Sequence, residues 1–347
     1  MFALTVGLLV YFCVSGNNLA ILLQSLPGLH PFWLLGALGG VVLNWLMDGN
    51  IIHSLVRHAQ DGKYSFHHAL KITMMGQYFN SVTPYSIGGQ PAQFVALRKQ
   101  GIATGIAIST LVRKFLVYQT SITVLSLLVI LLRFPFFSGR FPGFMALALI
   151  GFLYQAGTVV VLMLFTYCPK LTTKLIEGAV WLLMRMHLIR NPEETRKKAE
   201  SQLHFYLDNN RTMKGDLRLS ARIYGYTFVQ LLSLFSIPFF IYKAFHCPGA
   251  PIFDMMAAQC FVTMISVYMP LPGAAGAAEG SFLVIFQIFF NEKIITQAML
   301  LWRLITYYSC IVVGAVFVIF DDGKEKIRSK LHVPKLSPET KEEQEHN

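Results

Sequence analysis

The stretch YFNSVTPYSIGGQPAQFVALRKQ, residues 78–100, decides how this chain is read. It lies among long apolar runs, yet it holds Pro84 and Pro91, the pair Gly88-Gly89 and a row of small polar side chains. Each proline removes a backbone donor, and the glycine pair frees the chain to turn back. Irregular backbone survives at membrane depth only where protein buries it or water reaches it. The stretch therefore reads as a helix pair that enters the membrane, breaks and returns. A second stretch, YMPLPGAAGAAEGSFL at 268–283, repeats the pattern late in the chain. Together they point to a transporter core.

Composition agrees. Of 347 residues, 54% are hydrophobic and 14% charged, with a mean hydropathy of +0.52. Soluble domains carry about 25% charged residues, and several runs here exceed the roughly 18 apolar residues of a spanning helix. The net charge of +11 does not indicate nucleic acid, because the basic residues gather in loops on one side. Lys and Arg number five at 57–99, eleven at 170–222 and six in the tail, against four in the opposite loops. The positive-inside rule then places both termini inside. The five cysteines form no CxxC and read as small buried hydrophobes.

In chain order, residues 1–23 read as a retained first span and 32–55 as a second, with Asn44 and Asp48 near its inner end. The broken hairpin follows, opening to the cytoplasmic side. Residues 104–132 cross outward, RFPFFSGRFPG (133–143) is the outer loop and 144–167 return. The polar region 169–222 reads as interfacial and cytoplasmic helix, with Asn191 and Pro192 starting its second part. Residues 223–243 cross again, 252–290 form an outward-opening hairpin, 294–320 make the last span, and 321–347 are a charged tail. The expected fold is thus an all-α polytopic membrane protein of about six spanning helices and two re-entrant broken-helix hairpins. Repeat one covers about 1–132 and repeat two about 144–320, an inverted pair of the kind found in secondary transporters.

In the first hairpin, Pro91 stands where a new helix should begin, and its dipole and free N–H groups suit a phosphate or carboxylate. Ser81, Thr83, Ser86, Gly88, Gly89, Gln90 and Gln93 complete this candidate anion site, although the same groups could simply satisfy broken backbone. Arg113 and Lys114 lie about two turns into the next span, where a charge is costly unless paired or wet. Arg113 suits bidentate phosphate binding, whereas Lys114 could snorkel to the interface. In the second hairpin, Pro272, Gly273 and Gly276 form the break and Glu279 opens the following half-helix. Arg303, mid-span, is its natural partner, as a gate, a coupling site or a static ion pair. Asp48 and Asp254, nearer span ends, carry less weight. The histidines lack metal-site spacing, and no motif points to covalent catalysis, a nucleotide or any cofactor.

The TP…GGQP stretch, Arg113-Lys114, the PLPG…G…EG stretch and the late Arg303 together resemble the integral-membrane flippase domain of the lysylphosphatidylglycerol synthetase/flippase family. The resemblance spans nearly the whole chain. It implies a bacterial cytoplasmic-membrane protein that moves a modified phospholipid such as lysyl-phosphatidylglycerol between leaflets, with cationic-peptide resistance as the outcome. Ala278 departs from the Arg that many members carry before the glutamate. The resemblance covers the membrane part alone, without the soluble aminoacyl-transferase domain that uses lysyl-tRNA. The expectation is a flippase for an anionic, aminoacylated or other phosphate-bearing lipid. The alternatives are a membrane component of phosphatidylglycerol lysyltransferase and an ion-coupled small-solute transporter. Expected partners are phospholipids and a separately encoded synthase; a homo-oligomer is compatible with the sequence, and nucleic acid is not expected.

Overall fold

The computed structural model describes residues 26–319 except Asp61, Lys63, 168–215 and Tyr268. The expected first span at 1–23, most of the polar region 169–222 with its Asn191-Pro192 start, and the tail lie outside the described residues. Those described form helices and connecting turns, with no strand among them. We number the helices α1 (Pro31–Ala59), α2 (Phe66–Val82), α3 (Gly89–Lys99), α4 (Thr104–Ser138), α5 (Pro142–Tyr167), α6 (Leu217–Ala244), α7 (Ile252–Ser266), α8 (Ala277–Phe286) and α9 (Glu292–Arg303). A π-helical turn, Leu304–Tyr308, carries α9 onward to Ile319. Among the described residues, α1, α4, α5, α6 and extended α9 are long and apolar enough to cross a membrane.

Local chemistry sets the helix ends. Pro31 opens α1, where its missing N–H is no loss. Asn291 caps α9 by accepting the Ile294 N–H at 3.1 Å. Asp216 caps α6 by accepting the Leu219 N–H at 2.8 Å. That hydrogen bond, aided by His58 3.6 Å away, holds the Asp216 carboxyl below its ordinary value. Helix α4 runs to Ser138, beyond the end expected at residue 132, and takes in part of the expected outer loop. Tertiary contacts explain the extension. Phe137 is fully buried against Phe261, and Arg133 pairs with Asp254 at 2.7 Å. Pro135 falls in the last turn, so only Phe136–Ser138 lie beyond the backbone hydrogen bond it removes.

The frame is the antiparallel pair α1–α6. His30 N donates to Ala244 O at one end, and Asp216 meets His58 at the other. Between them the backbones approach closely at glycine. A Cβ on Gly36 would lie 3.0 Å from the Phe240 ring, and one on Gly40 would lie 3.2 Å from both Ile237 and the Ser233 carbonyl oxygen. Small residues are how helices gain contact in lipid, where no hydrophobic force drives them together. The larger apolar core gathers α1, α4, α6, α7, α8 and α9 around Phe261, Phe282, Phe286 and Trp302.

Against this frame stand two short helix pairs. Gly76 and Ile72 of α2 face Gln93 of α3, and Asn80 meets Gly89, so the chain doubles back on itself. Helices α7 and α8 also pack together, and α8 has 10 residues, about 15 Å long at 1.5 Å each. Each pair breaks at a proline followed by two left-handed residues. These are Pro84-Tyr85-Ser86 (φ +52° and +53°) and Pro272-Gly273-Ala274 (φ +62° and +53°). The two turns pack against one another.

The glycine contacts give a paired test of the frame. Gly40→Leu should lower stability in detergent by about 1–3 kcal/mol by overpacking the α1–α6 seam. Gly39→Leu, whose Cβ meets nothing within 4 Å, should stay within about 0.5 kcal/mol of the parent. Fluorescence-detected thermal unfolding of the purified variants reads the difference.

Candidate functional site

The first break is satisfied from within. Thr83 Oγ1 donates to Phe79 O at 2.7 Å and accepts the Gly88 N–H at 2.9 Å, while Asn80 Oδ1 accepts the Gly89 N–H at 2.9 Å. Helix α3 therefore begins at Gly89 and places Pro91 third, not first. Two N–H groups at this helix end, those of Gly88 and Gly89, are taken by Thr83 and Asn80. A Cβ on Gly88 or Gly89 would lie 2.5 Å from Thr83 or 2.2 Å from Asn80, so the turn needs glycine at both positions.

The second break is held by Arg303. Its Nε lies 2.7 Å from Glu279 Oε1, and its Nη1 donates to Gly273 O at 3.1 Å. The other Glu279 oxygen accepts the Gly276 N–H at 2.7 Å, fixing the start of α8. The Arg303 guanidinium also lies 4.9 Å from the Trp302 ring centre and 5.5 Å from that of Tyr307. Tyr307, on the π-helical turn, covers Gly273, where a Cβ would fall 2.2 Å from its ring. Its hydroxyl donates to Ser81 O at 2.9 Å, tying the second break to the first. The π turn brings Arg303 and Tyr307 to bear on one turn of backbone.

A polar cavity of about 430 Å³ lies beside the meeting turns. At its centre Lys114 Nζ donates to Asp48 Oδ2 at 2.7 Å and, more weakly, to Gln93 Oε1 at 3.4 Å. Gln230 Nε2 donates to Asp48 Oδ1 at 3.4 Å, and Gln93 Nε2 to Ile72 O at 3.4 Å. Helices α1, α3, α4 and α6 thus meet at one ion pair. Asp48 is 3% exposed and Gln230 5%. Lys114 stands ten residues into α4, about 15 Å along it. It does not snorkel; it turns inward to a carboxylate.

The expected site divides in three. Ser81, Ser86, Gln90, Gln93, Lys114 and Gly273 line the polar cavity. Pro91 lines an adjoining cavity of about 790 Å³, mostly apolar, whose walls include Ile87, Phe94, Ile108, Val112 and Phe115. Tyr85, Ser86, Gln90, Leu111 and Phe115 border both. Thr83, Gly88 and Gly89 build the first turn, while Pro272, Gly276, Glu279 and Arg303 build and brace the second. Arg113 lines neither cavity; its Nη2 donates to Ser220 Oγ at 2.7 Å on the first turn of α6. Successive residues on a helix point about 100° apart, so one basic residue of the pair enters the site and the other braces a helix.

Asp48, given little weight in the sequence, is the counter-ion at the centre. Gln230, Tyr118 and Tyr307 line the cavity too and were not singled out. The signal for Asp48 and Gln230 was a carboxylate and an amide within otherwise apolar helices. Among the described residues, no group of three or more His, Cys, Asp and Glu side chains could hold a metal.

A buried pair is costly to half-remove. Lys114→Met and Asp48→Leu should each destabilise the protein by about 3–5 kcal/mol, because each orphans a buried charge. The double variant should recover much of that loss. Chemical denaturation in detergent across the four proteins measures the coupling.

The family model described as the lysylphosphatidylglycerol synthase TM region matches residues 1–314. The chain is also similar to a UPF0104 membrane protein of Archaeoglobus fulgidus, 25% identical over 337 residues, covering 94% of each chain. With its long apolar helices, this makes the protein a multi-pass integral membrane protein, and it belongs to the lysylphosphatidylglycerol synthase transmembrane-region family.

Proposed function

We propose that the protein is a flippase for a phosphate-bearing phospholipid. The observation that carries this reading is the wall that the two cavities share. Tyr85, Ser86, Gln90, Leu111 and Phe115 line both a polar chamber that holds Lys114 and Asp48 and an apolar groove nearly twice its volume. That pairing matches an amphiphile: the phosphate against Lys114, Gln90 and Ser86, and the first acyl segments along Phe94, Ile108 and Val112. Ile87 (67% exposed) and Tyr154 (57%) border the groove. A groove bordered by exposed apolar and aromatic side chains suits a lipid better than a small solute, which needs a closed aqueous path.

In this mechanism the meeting turns form the barrier between leaflets. Tyr307 latches the second turn to the first and the Glu279–Arg303 pair holds the second turn in shape, so access from one side requires those contacts to loosen. The matching Pro–αL–αL turns and the antiparallel α1–α6 frame support an inverted repeat with two re-entrant hairpins. The family name offers lysyl-phosphatidylglycerol as one substrate. The one-sided basic loops put both termini on the cytoplasmic face, and the resemblance to the family implies the bacterial cytoplasmic membrane.

Leaflet-resolved translocation in proteoliposomes tests this. The wild type should speed transbilayer movement of labelled phosphatidylglycerol over protein-free vesicles. Lys114→Gln should slow it about tenfold or more, equivalent to about 1.4 kcal/mol. Val112→Trp, filling the groove, should slow it similarly, while Leu132→Trp on the exposed face of α4 should not. Wild-type rates equal to protein-free vesicles for every phosphate-bearing lipid would overturn the proposal.

A further inference from the structure

The polar cavity has a charge balance that an anionic lipid would upset. Asp48 and Lys114 neutralise each other at 2.7 Å, and the Asp48 side chain is 4% exposed. The other titratable groups lining the same cavity are Tyr85 from the first turn, Tyr118 from α4, and Tyr307 and Cys310 from the extension of α9. Helices α2, α3 and α6 bring amides and hydroxyls there but no second carboxylate. Beyond the cavity, His53 of α1 stacks on Tyr64, Arg113 faces Ser220, and Glu279 pairs with Arg303. Lys114 is therefore the one cation lining the chamber among the described residues, and Asp48 already uses it.

A phosphodiester entering this chamber adds a negative charge. Lys114 cannot neutralise two anions, and an uncompensated buried charge is costly. A second anion nearby favours the protonated form of a carboxyl. The structure also holds a partner for that form. Gln230 Oε1 is buried without a hydrogen-bond partner, on the same amide whose Nε2 approaches Asp48 Oδ1. Turning that amide over presents Oε1 to Asp48. This pairing is favourable only if the carboxyl carries a proton to donate; against a carboxylate, Nε2 must face it instead.

We infer that an anionic headgroup entering the cavity drives uptake of one proton by Asp48, making lipid movement proton-linked. This rests on the reading of the cavity as a headgroup site. The proton comes from the buffered solvent, whose acid form is left as its conjugate base. The Asp48 carboxylate becomes a neutral acid hydrogen-bonded to Gln230 Oε1, Lys114 turns to the phosphate, and the proton leaves when the headgroup does. A zwitterionic headgroup brings its own cation and needs no proton.

Calorimetric titration of the full chain in detergent with short-chain lipids, near neutral pH in two buffers of different ionisation enthalpy, counts protons per lipid bound. Phosphatidylglycerol should bind with uptake close to one proton, and phosphatidylethanolamine with close to none. The uptake should vanish in Asp48→Asn. Binding of phosphatidylglycerol without proton uptake, equal uptake with both lipids, or undiminished uptake in Asp48→Asn would overturn the coupling while leaving the headgroup site standing. Binding of neither lipid would overturn the headgroup site itself. The comparison between lipids uses the wild type alone, so it decides the question even if Asp48→Asn fails to fold. A carboxylic-acid infrared band that appears with phosphatidylglycerol then replaces the variant as support, and its absence counts against the coupling.

Discussion

Breaking a helix inside an apolar layer frees backbone groups that lipid cannot satisfy, and the rest of this molecule is arranged around meeting that demand twice in one place. The first break is served by Thr83 and Asn80 from its own segment. The second is served by Arg303, which reaches the Gly273 carbonyl from a different helix while holding Glu279. Packing the two turns together and joining them through Tyr307 and Ser81 spares each a wall of lipid. The α1–α6 seam, closed by glycines at one face, holds the helices that bring these turns into register.

The cavity beside the turns follows from the same demand. Four helices must converge there, and the polar side chains they carry cannot all be satisfied by backbone. They satisfy one another instead, through Lys114, Asp48, Gln93 and Gln230. Such a network is stable only while its charges balance. That same condition makes it responsive to a charged guest. The geometry that settles the backbone thus leaves a site whose electrostatics a phosphate would change, next to a groove that would take a hydrocarbon chain.

Much of this was legible in the sequence because membrane helices announce themselves by length and hydropathy, and their breaks by proline and glycine. The two broken stretches followed from those signals, and the Glu279–Arg303 pairing from opposite charges placed within apolar segments. What escaped depended on rotation about a helix axis and on contacts between distant segments. Nothing local says that Lys114 turns inward while Arg113 braces α6, or that Asp48 meets Lys114 across 66 residues. Pro91 looked like a helix start, but Asn80 and Thr83 draw the start back to Gly89. The extension of α4 to Ser138 depends on Phe137 and Arg133 finding partners on α7, which no local pattern announces.

The central claim is that one phospholipid occupies both cavities, headgroup beside Lys114 and chain in the groove. The most direct measurement is photolabelling with phosphatidylglycerol carrying a diazirine near the start of one acyl chain, followed by peptide mapping. The account predicts labels on Phe94, Ile108 and Val112 that excess unlabelled phosphatidylglycerol suppresses. Labels spread over the exposed positions Leu131, Leu132 and Leu153, with no competition and none in the groove, would contradict it.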